Sequence, residues 1–333
     1  MIVGVVGAGR IGSLHAGNLE QLPLVDQVVV ADSAPGRAQE LAARLGVEAA
    51  ESPARMIAGG IDGLVIAVGT DAHQDLIREG AEAGIPMFCE KPLALELSAV
   101  ADVVRMVEQM HATVQVGFQR RFDPGYLAAR EAVRAGELGW LHTVWASTLD
   151  PAPPPEDYIA GSGGLFRDCS VHDVDALRWV TGSEVRDVVA IGANRGGGPF
   201  ALYGDVDTGG CLLSLVDGTI AFISGTRYNG NGYDVRMELL GSSKSMVVGL
   251  DERSPLRSAE PGVGWPSGIP YADFIDRFRG AYLAELESFT QLVAGKIDNP
   301  CPASDSLETA YVVEACDLAR REQRRVEIEE LRL

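Results

Sequence analysis

The chain has 333 residues, which is too long for one ordinary domain and comfortable for two. Hydrophobic residues make up 46%, enough for sizeable cores, and no apolar run is long enough to span a bilayer. A formal net charge of −19 opposes contact with nucleic-acid phosphates, so we expect neither a nucleic-acid nor a membrane partner. Because the first strand begins at Ile2, we expect no signal peptide. Five scattered cysteines without a C-x-x-C pair predict reduced thiols, a cytoplasmic location and no metal site.

The first third of the chain alternates strands and helices. Apolar runs predict strands at residues 2–6, 28–31, 64–68, 87–89 and 114–116. Helical spacing of apolar residues predicts helices that run to about residue 22 and over 37–45, 72–83 and 95–110. Repeated strand–helix–strand units predict a doubly wound parallel sheet, the Rossmann arrangement. We place this domain at residues 1–118.

The pattern changes after about residue 118, where strand-like runs dominate. They lie at residues 143–149, 185–191, 211–216, 220–226 and 235–240. Asp217-Gly218 predicts a tight hairpin between two of them. Two helices close the chain; one has an apolar face ending at Phe289, and Asp305-Ser306-Leu307-Glu308 resembles a capping box that opens the other. The pattern favours an α+β domain with an open, mostly antiparallel sheet over residues 119–333.

A glycine-rich motif follows the first strand. Gly7-Ala8-Gly9-Arg10-Ile11-Gly12 is G-x-G-x-x-G with a strand before it and a helix after it, the context of a dinucleotide site. Such a site needs the first glycine for the turn, the second for close approach of the pyrophosphate and the third for helix packing. Asp32, at the end of the second strand, predicts hydrogen bonds to the ribose hydroxyls of NAD; Arg37 could favour NADP but belongs to the next helical segment. The motif favours NAD.

Two further groups are candidates for proton chemistry. Lys91 lies in Glu90-Lys91-Pro92, directly after a strand of the parallel sheet, where ligands gather, and its charge would stabilise a developing alkoxide. Asp168 and His172 are four residues apart, so a helix puts both on one face, and a histidine can take a proton near neutral pH. The other four histidines do not belong to such a group of candidate residues and are expected to be structural: His15, His73, His111 and His142. The role of His73 is the least clear, because it follows a strand end.

These motifs together resemble one family. Glu90-Lys91-Pro92 after a strand, then Gly163-Gly164, then Asp168-x-x-x-His172, are similar to the Gfo/Idh/MocA oxidoreductases, and the similarity covers nearly the whole chain. Several segments resemble the inositol-dehydrogenase branch more closely, namely residues 9–15, 115–124, 150–175, 232–241 and 274–287. The resemblance implies NAD-dependent oxidation of a cyclitol ring hydroxyl, with myo-inositol as first choice and an inosose as product.

The resemblance also implies roles for single residues. His172 would accept the proton while hydride passes to the nicotinamide, and Lys91 and Asp168 would assist and position the substrate. Glu90 and Lys91 would lie beside the cofactor, and Asp150 and Tyr233 would line the polyol pocket. The Lys91–Pro92 peptide is expected to be cis. Members are commonly homotetramers packed through the open sheet, so we expect a tetramer.

The chain departs from the family pattern at two places. Close relatives often carry arginine before the aspartate at position 150, where this chain has Leu149. The usual Thr-Pro after the third strand is Val68-Gly69. The first departure touches the expected polyol pocket, and the second touches the segment expected to hold the nicotinamide ribose.

Three alternative functions share this fold. One is a dehydrogenase for another sugar or polyol. Another is an NAD-dependent glycosidase, which would regenerate its cofactor in each turnover. A third is a non-catalytic NAD-binding protein, against which the joint presence of Lys91, Asp168 and His172 argues.

Overall fold

The structure, a computed structural model, describes residues 1–332 and divides them into two compact units. One unit comprises residues 1–122 and 280–307, and the other comprises residues 123–279 and 308–332. The boundary near residue 122 lies close to the one expected at 118. The segment 280–307 belongs to the first unit, although the sequence analysis assigned it to the second domain.

The first unit is built on a six-stranded parallel sheet in the order β3-β2-β1-β4-β5-β6. Its strands are β1 (Ile2–Val6), β2 (Gln27–Ala31), β3 (Glu48–Ala49), β4 (Gly63–Ile66), β5 (Met87–Glu90) and β6 (Val114–Gly117). Its helices are α1 (Arg10–Leu19), α2 (Arg37–Leu45), α3 (Pro53–Ala58), α4 (His73–Glu82) and α5 (Leu97–Gln109). All neighbouring strands pair in parallel. The expected Rossmann domain is confirmed.

The central strands of this sheet are buried on both faces, which explains their continuous apolar sequences. Every residue of β4 is buried, as are residues 3–6 of β1. The sequence analysis did not predict β3 or α3, because both are too short to show a periodicity. A local signal marks α3: Ser52 caps it by accepting a hydrogen bond from the Arg55 N–H, and Pro53 follows at the first helical position.

The helix α9 (Phe274–Val293) departs from helical geometry at Phe278, and its second half contributes to the core of the first unit. Leu286 and Phe289 are fully buried in that core, and the Phe289 ring lies 6.0 Å from the ring of Phe88 on β5. The apolar face that the sequence analysis recognised is therefore real. Its partners belong to the parallel sheet, which helical spacing alone could not reveal.

The second unit is built on a seven-stranded sheet in the order β12-β11-β7-β10-β9-β8-β13. Its strands are β7 (Leu141–Leu149), β8 (Val185–Ala193), β9 (Thr208–Leu215), β10 (Ile220–Thr226), β11 (Asp234–Gly241), β12 (Ser245–Val248) and β13 (Val326–Glu327). Its helices are α6 (Pro124–Arg134), α7 (Glu156–Gly161) and α8 (Val171–Thr181), with α10 (Ala303–Glu322) reaching it from residue 308 onward. One pair, β7 with β10, is parallel, and the others are antiparallel. The expected mostly antiparallel domain is confirmed.

Two turn predictions had different outcomes. The hairpin at Asp217-Gly218 is present: it joins β9 to β10, and Gly218 takes a φ of 91°, which favours glycine. The capping box at 305–308 is wrong, because α10 begins at Ala303 and Asp305 already lies inside its first turn. The Asp305 carboxylate instead accepts a hydrogen bond from Arg121 Nη1 at 2.7 Å.

Candidate active site

The glycine motif forms the turn between β1 and α1. Gly7 has a φ of 105°, and a Cβ there would overlap the backbone oxygen of Ala67. A Cβ on Gly12 would overlap the backbone oxygen of Gly7. Both positions therefore require glycine for steric reasons that lie within the first unit.

Gly9 has a different environment. A Cβ built there would meet no heavy atom within 4 Å, so the lack of a side chain leaves open space in front of the backbone. The helix α1 begins at the next residue, Arg10, with Ile11 and Gly12 in its first turn. The first turn of an α-helix directs N–H groups and a positive dipole end toward such a space. The residues present therefore fit a dinucleotide pyrophosphate.

Asp32 lies just after β2, and its carboxylate supports the glycine turn. Oδ2 accepts a hydrogen bond of 2.7 Å from the Ala8 N–H, and Oδ1 accepts one of 2.7 Å from the Ala34 N–H. Each carboxylate oxygen can accept a further hydrogen bond, so these contacts leave capacity for ribose hydroxyls. Asp32 thus joins the motif turn to the end of β2, where the sequence analysis expected the ribose contact.

The Glu-Lys-Pro segment leaves the end of β5. Lys91 follows the strand directly, and the Lys91–Pro92 peptide is cis, as expected. His73 is buried at this turn, where Nδ1 lies 2.9 Å from the Pro92 oxygen and Nε2 lies 3.3 Å from the Val68 oxygen. Burial lowers the pKa of His73, which favours the neutral ring, and that ring has one N–H to donate a hydrogen bond to one of the two backbone oxygens. His73 therefore ties the turn that carries Lys91 to the end of β4, a structural role as expected.

Glu90 takes part in a buried cluster with two other groups. Its Oε1 lies 2.7 Å from Nε2 of His15, a fully buried side chain on α1. The carboxylate of Glu285 on α9 is also fully buried, and neither of its oxygens has a hydrogen-bond partner. One ring nitrogen of His15 and one carboxylate oxygen from each glutamate lie within 4.8 Å of one another. Burial, reinforced by the charge of Glu90, raises the pKa of Glu285 well above its ordinary value, which favours its protonated form.

In the second unit, a glycine turn leads into the helix that carries Asp168 and His172. Gly163 and Gly164 have φ values of 75° and 95°, and the Leu165 N–H donates to Asp205 Oδ1 at 2.9 Å. Residues Phe166–Ser170 then form one π-helical turn before α8 begins at Val171. The sequence analysis expected Asp168 and His172 on one α-helical face. Asp168 lies within the wider π turn and His172 lies in the first turn of α8; π turns often occur at functional sites.

Asp168 and Asp150 share a buried arginine that the sequence analysis did not identify. Arg227 Nη2 donates to Asp168 Oδ2 and Nη1 donates to Asp150 Oδ2, both at 2.8 Å. The Arg227 side chain is 4% exposed. Burial raises the pKa of Asp150, and the charge of Arg227 opposes that rise. The arrangement is a pair of adjacent carboxylates joined by one guanidinium.

Tyr158, on α7, forms a hydrogen bond with the other carboxylate oxygen of Asp168. Its hydroxyl donates to Asp168 Oδ1 at 2.9 Å, and burial together with the Asp168 charge raises the pKa of this phenol. The hydroxyl therefore remains protonated at neutral pH and acts as a donor. The sequence offered no periodic or motif signal for this contact.

The register of the sheet explains how three of these residues meet. Leu149 at the end of β7 pairs with Thr226 of β10 and with Asp234 of β11. Asp150, Arg227 and Tyr233 each lie one residue beyond those pairs, at the same edge of the sheet. The Tyr233 N–H donates to the Tyr271 oxygen at 2.8 Å, and the Tyr233 side chain is buried.

The predicted site residues therefore fall into two groups. Gly7, Gly9, Arg10, Ile11, Gly12, Asp32, Glu90 and Lys91 belong to the first unit, whereas Asp150, Asp168, His172 and Tyr233 belong to the second. Within the second unit, the structure joins Asp150 to Asp168 through Arg227. His172 lies one helical turn further along the chain.

All five cysteines are buried, and none of them forms a disulfide. Among residues 1–332, no helix is both long and apolar enough to cross a membrane.

Comparison with known proteins agrees with this architecture. Residues 1–118 match the family model described as "Oxidoreductase family, NAD-binding Rossmann fold", and residues 126–247 match the "GFO/IDH/MocA C-terminal domain". The chain is 36% identical to "Myo-inositol dehydrogenase Hyg17" of Streptomyces leeuwenhoekii over 94% of this chain and 96% of that protein. It is 35% identical to "Inositol 2-dehydrogenase" of Rhizobium meliloti (strain 1021) over 98% of both chains.

A solved structure extends the similarity to three dimensions. The scyllo-inositol dehydrogenase of Lactobacillus casei, crystallised with NAD(H) and scyllo-inositol, superimposes with a TM-score of 0.87 at 28% identity, covering 99% of both chains. The match spans both units of the fold. The chain therefore belongs to the Gfo/Idh/MocA oxidoreductase family, and its first unit is the NAD-binding domain of that family.

Proposed function

We propose that the chain oxidises one ring hydroxyl of a cyclitol to a ketone, with NAD as the hydride acceptor and myo-inositol as the preferred substrate. The observation that carries the proposal is the buried pair of carboxylates, Asp150 and Asp168, held by Arg227. Ionised carboxylates accept hydrogen bonds from hydroxyl groups, and a ring of hydroxyls needs several such acceptors. The names of the inositol dehydrogenase relatives support the same substrate class.

The reaction divides into a hydride transfer and a proton transfer. NAD, when bound, takes the hydride from the carbinol carbon. His172 accepts the hydroxyl proton as the C–O bond becomes a carbonyl, which is the task of a general base near neutral pH. Lys91 stabilises the developing alkoxide, and Asp168 positions the substrate hydroxyl.

The cofactor contacts follow from the first unit. Gly7, Gly9 and the first turn of α1, including Arg10, Ile11 and Gly12, hold the pyrophosphate, and Asp32 binds the adenine ribose. Glu90 and Lys91 would hold the nicotinamide side of the cofactor. Asp150 and Tyr233 contribute further polar groups to the cyclitol.

Kinetics with a substrate panel test the proposal. We expect NADH to accumulate with free myo-inositol, and kcat/KM for myo-inositol to exceed the values for glucose and xylose. A pyranose with the higher kcat/KM would assign the enzyme to another sugar. Release of free sugar from a glycoside without net NADH would indicate a glycosidase. Absence of turnover with every polyol, despite NAD binding, would favour a non-catalytic protein.

We also place the enzyme in the cytoplasm as a homotetramer, assembled through the open face of the second sheet. Support comes from an apolar row that crosses four neighbouring strands: Trp145, Phe222, Leu212 and Val189. Trp145 stacks on Phe222 at 4.1 Å but is 48% exposed, and Leu212 is 40% exposed. Exposed apolar patches of this kind mark interfaces. The reduced, buried cysteines fit a cytoplasmic location.

The mass of the assembly in solution tests this arrangement. Light scattering should give four chains for the wild type, and Leu212→Glu should give a smaller species because it places charge in the centre of the row. Arg186→Glu changes an exposed residue on β8 outside the row and serves as the control. A monomeric wild type would contradict the tetramer.

A further inference from the structure

Arg227 directly follows the last residue of β10, and its surroundings fix both its backbone and its side chain. Its backbone is fixed, because its N–H donates to the Asp207 oxygen at 2.8 Å and the preceding residue, Thr226, accepts from the Asp150 N–H at 2.9 Å. Its side chain is 4% exposed and reaches two carboxylates from different elements. The guanidinium is therefore anchored by the sheet, and the two aspartates are fixed relative to each other.

The charges around this guanidinium explain why it is needed. Asp150 and Asp168 are largely buried, with side-chain exposures of 21% and 12%, and each carries a negative charge when ionised. Two carboxylates so close to each other would favour protonation of one of them. Two further polar groups contact this set: the Tyr158 hydroxyl donates to Asp168 Oδ1, and the Cys169 thiol lies 3.6 Å from Asp150 Oδ2. Arg227 is the cation that bridges the two carboxylates.

We propose that Arg227 is a positioning residue of the substrate site, which keeps Asp150 and Asp168 ionised and aligned so that both can accept hydrogen bonds from a polyol. The inference rests on the proposed function for its substrate class. A protonated aspartate would present an O–H donor toward a substrate hydroxyl that is itself donating a hydrogen bond. Arg227 acts through the two aspartates.

The fork of the guanidinium explains why arginine occupies this position. Nη1 and Nη2 donate to different carboxylates at the same distance, 2.8 Å. A lysine ammonium is a compact point charge and cannot reproduce this planar, two-pronged geometry. A positive charge alone therefore cannot align both carboxylates. Arg227→Lys keeps the charge but loses the fork, so it tests the two contributions separately.

The test uses two substitutions in the full-length enzyme. Arg227→Met should lower kcat/KM for myo-inositol by about 100-fold and move the acidic limb of its pH profile upward by about one unit, because the unpaired carboxylates hold protons to a higher pH. Arg227→Lys should lower kcat/KM by about tenfold with a smaller displacement of the limb. The dissociation constant for NAD, whose motif lies in the first unit, should stay within about twofold of the wild-type value.

Arg178→Lys provides a matched control in the same unit. Arg178 is also buried and donates to both oxygens of one carboxylate, Glu184, at 2.6 and 2.7 Å. Its substitution should lower the melting temperature without moving the acidic limb. An equal displacement of the limb in Arg178→Lys would show that loss of any buried arginine produces the effect, and would overturn the role of Arg227.

A second measurement does not depend on activity. Carboxyl NMR titration of the enzyme with labelled aspartate, with Asp150→Asn to assign the resonance, should show that Arg227→Met raises the pKa of Asp150. An unchanged Asp150 titration overturns the inference. If the wild type oxidises no ring polyol, the proposed function fails, and this titration still decides whether Arg227 keeps the pair ionised.

Discussion

Each unit of the molecule contains a largely buried pair of neighbouring acidic side chains, and the two pairs have different surroundings. In the first unit, Glu90 faces His15, while Glu285 is fully buried without a hydrogen bond to either carboxylate oxygen and has a strongly raised pKa. In the second unit, Arg227 bridges Asp150 and Asp168. The raised pKa favours the protonated form of one acid in the first pair, whereas one arginine donates hydrogen bonds to both acids in the second.

The difference indicates different tasks. Ionised carboxylates can accept hydrogen bonds from several hydroxyls, which suits a unit that recognises a polyol. A fully buried acid whose raised pKa favours the neutral form is compatible with a structural role for Glu285. Four substitutions test this contrast, and their expected effects range from several powers of ten in rate to a few degrees in melting temperature.

His172→Ala is expected to have the largest effect. Loss of a positioned general base should lower kcat by roughly 10²–10⁴ while NAD affinity stays nearly unchanged. Steady-state kinetics and NAD binding measure the two quantities separately. His142→Ala, which removes an exposed histidine from β7 of the same unit, should leave both unchanged. Near-normal turnover of His172→Ala at neutral pH would require a different base.

Asp32→Ala tests an acid of the first unit whose carboxylate accepts hydrogen bonds from backbone N–H groups. The wild type should prefer NAD over NADP by at least about tenfold in kcat/KM, since a carboxylate binds ribose hydroxyls and repels a 2′-phosphate. The substitution should reduce that preference. Asp75→Ala, on the exposed surface of α4, is the control. Equal use of both cofactors by the wild type would contradict the role of Asp32.

Tyr158→Phe removes the hydrogen bond that the phenol donates to Asp168 Oδ1. One hydrogen bond contributes about 0.5–1.5 kcal/mol, so kcat/KM for the polyol should fall by about 2–10-fold. Tyr203→Phe is a close control, because its hydroxyl also donates to a carboxylate, that of Glu156, at 3.1 Å. A rise in kcat/KM for Tyr158→Phe would mean that the phenol competes with substrate for Asp168.

Glu285→Gln should change stability in a pH-dependent way. The pKa of Glu285 is raised in the folded state, so its contribution is fully present below the unfolded value near 4.5 and is lost as pH rises toward the folded value. Glutamine cannot ionise. The substitution should therefore leave the melting temperature nearly unchanged at pH 5 and raise it by about 2–4 °C at pH 8, an effect of ~1 kcal/mol.

Glu287→Gln provides the comparison for this measurement, since Glu287 is exposed on the same helix. It should show no such dependence on pH. A difference between Glu285→Gln and the wild type that is equal at pH 5 and pH 8 would show that Glu285 is ionised throughout this range. The contrast between the two acidic pairs would then disappear.

Local signals allowed much of the fold and the cofactor motif to be predicted. Gly7, Gly9 and Gly12 are recognisable because the strand, turn and helix that need them are contiguous in sequence. Lys91 and the cis peptide after it were accessible through the family resemblance. The short elements β3 and α3 were missed because six residues or fewer carry no measurable periodicity.

The residues that organise the second site could not be identified in this way. Arg227 is separated from its two partners by 77 and 59 residues, and only the register of β7 with β10 brings Asp150 beside it. Glu285 appears in sequence as one polar residue on an apolar helix. Its burial depends on the elements packed around it, which periodicity does not specify.

The two outermost strands of the second sheet have a consequence for assembly. They are β12, with four residues, and β13, with two. Edge strands this short offer few unpaired backbone groups to another chain, which disfavours edge-to-edge polymerisation. The broad apolar face remains available, and face-to-face packing of identical sheets is compatible with closed symmetry. Short edge strands together with an exposed apolar face therefore favour a closed assembly over an open filament.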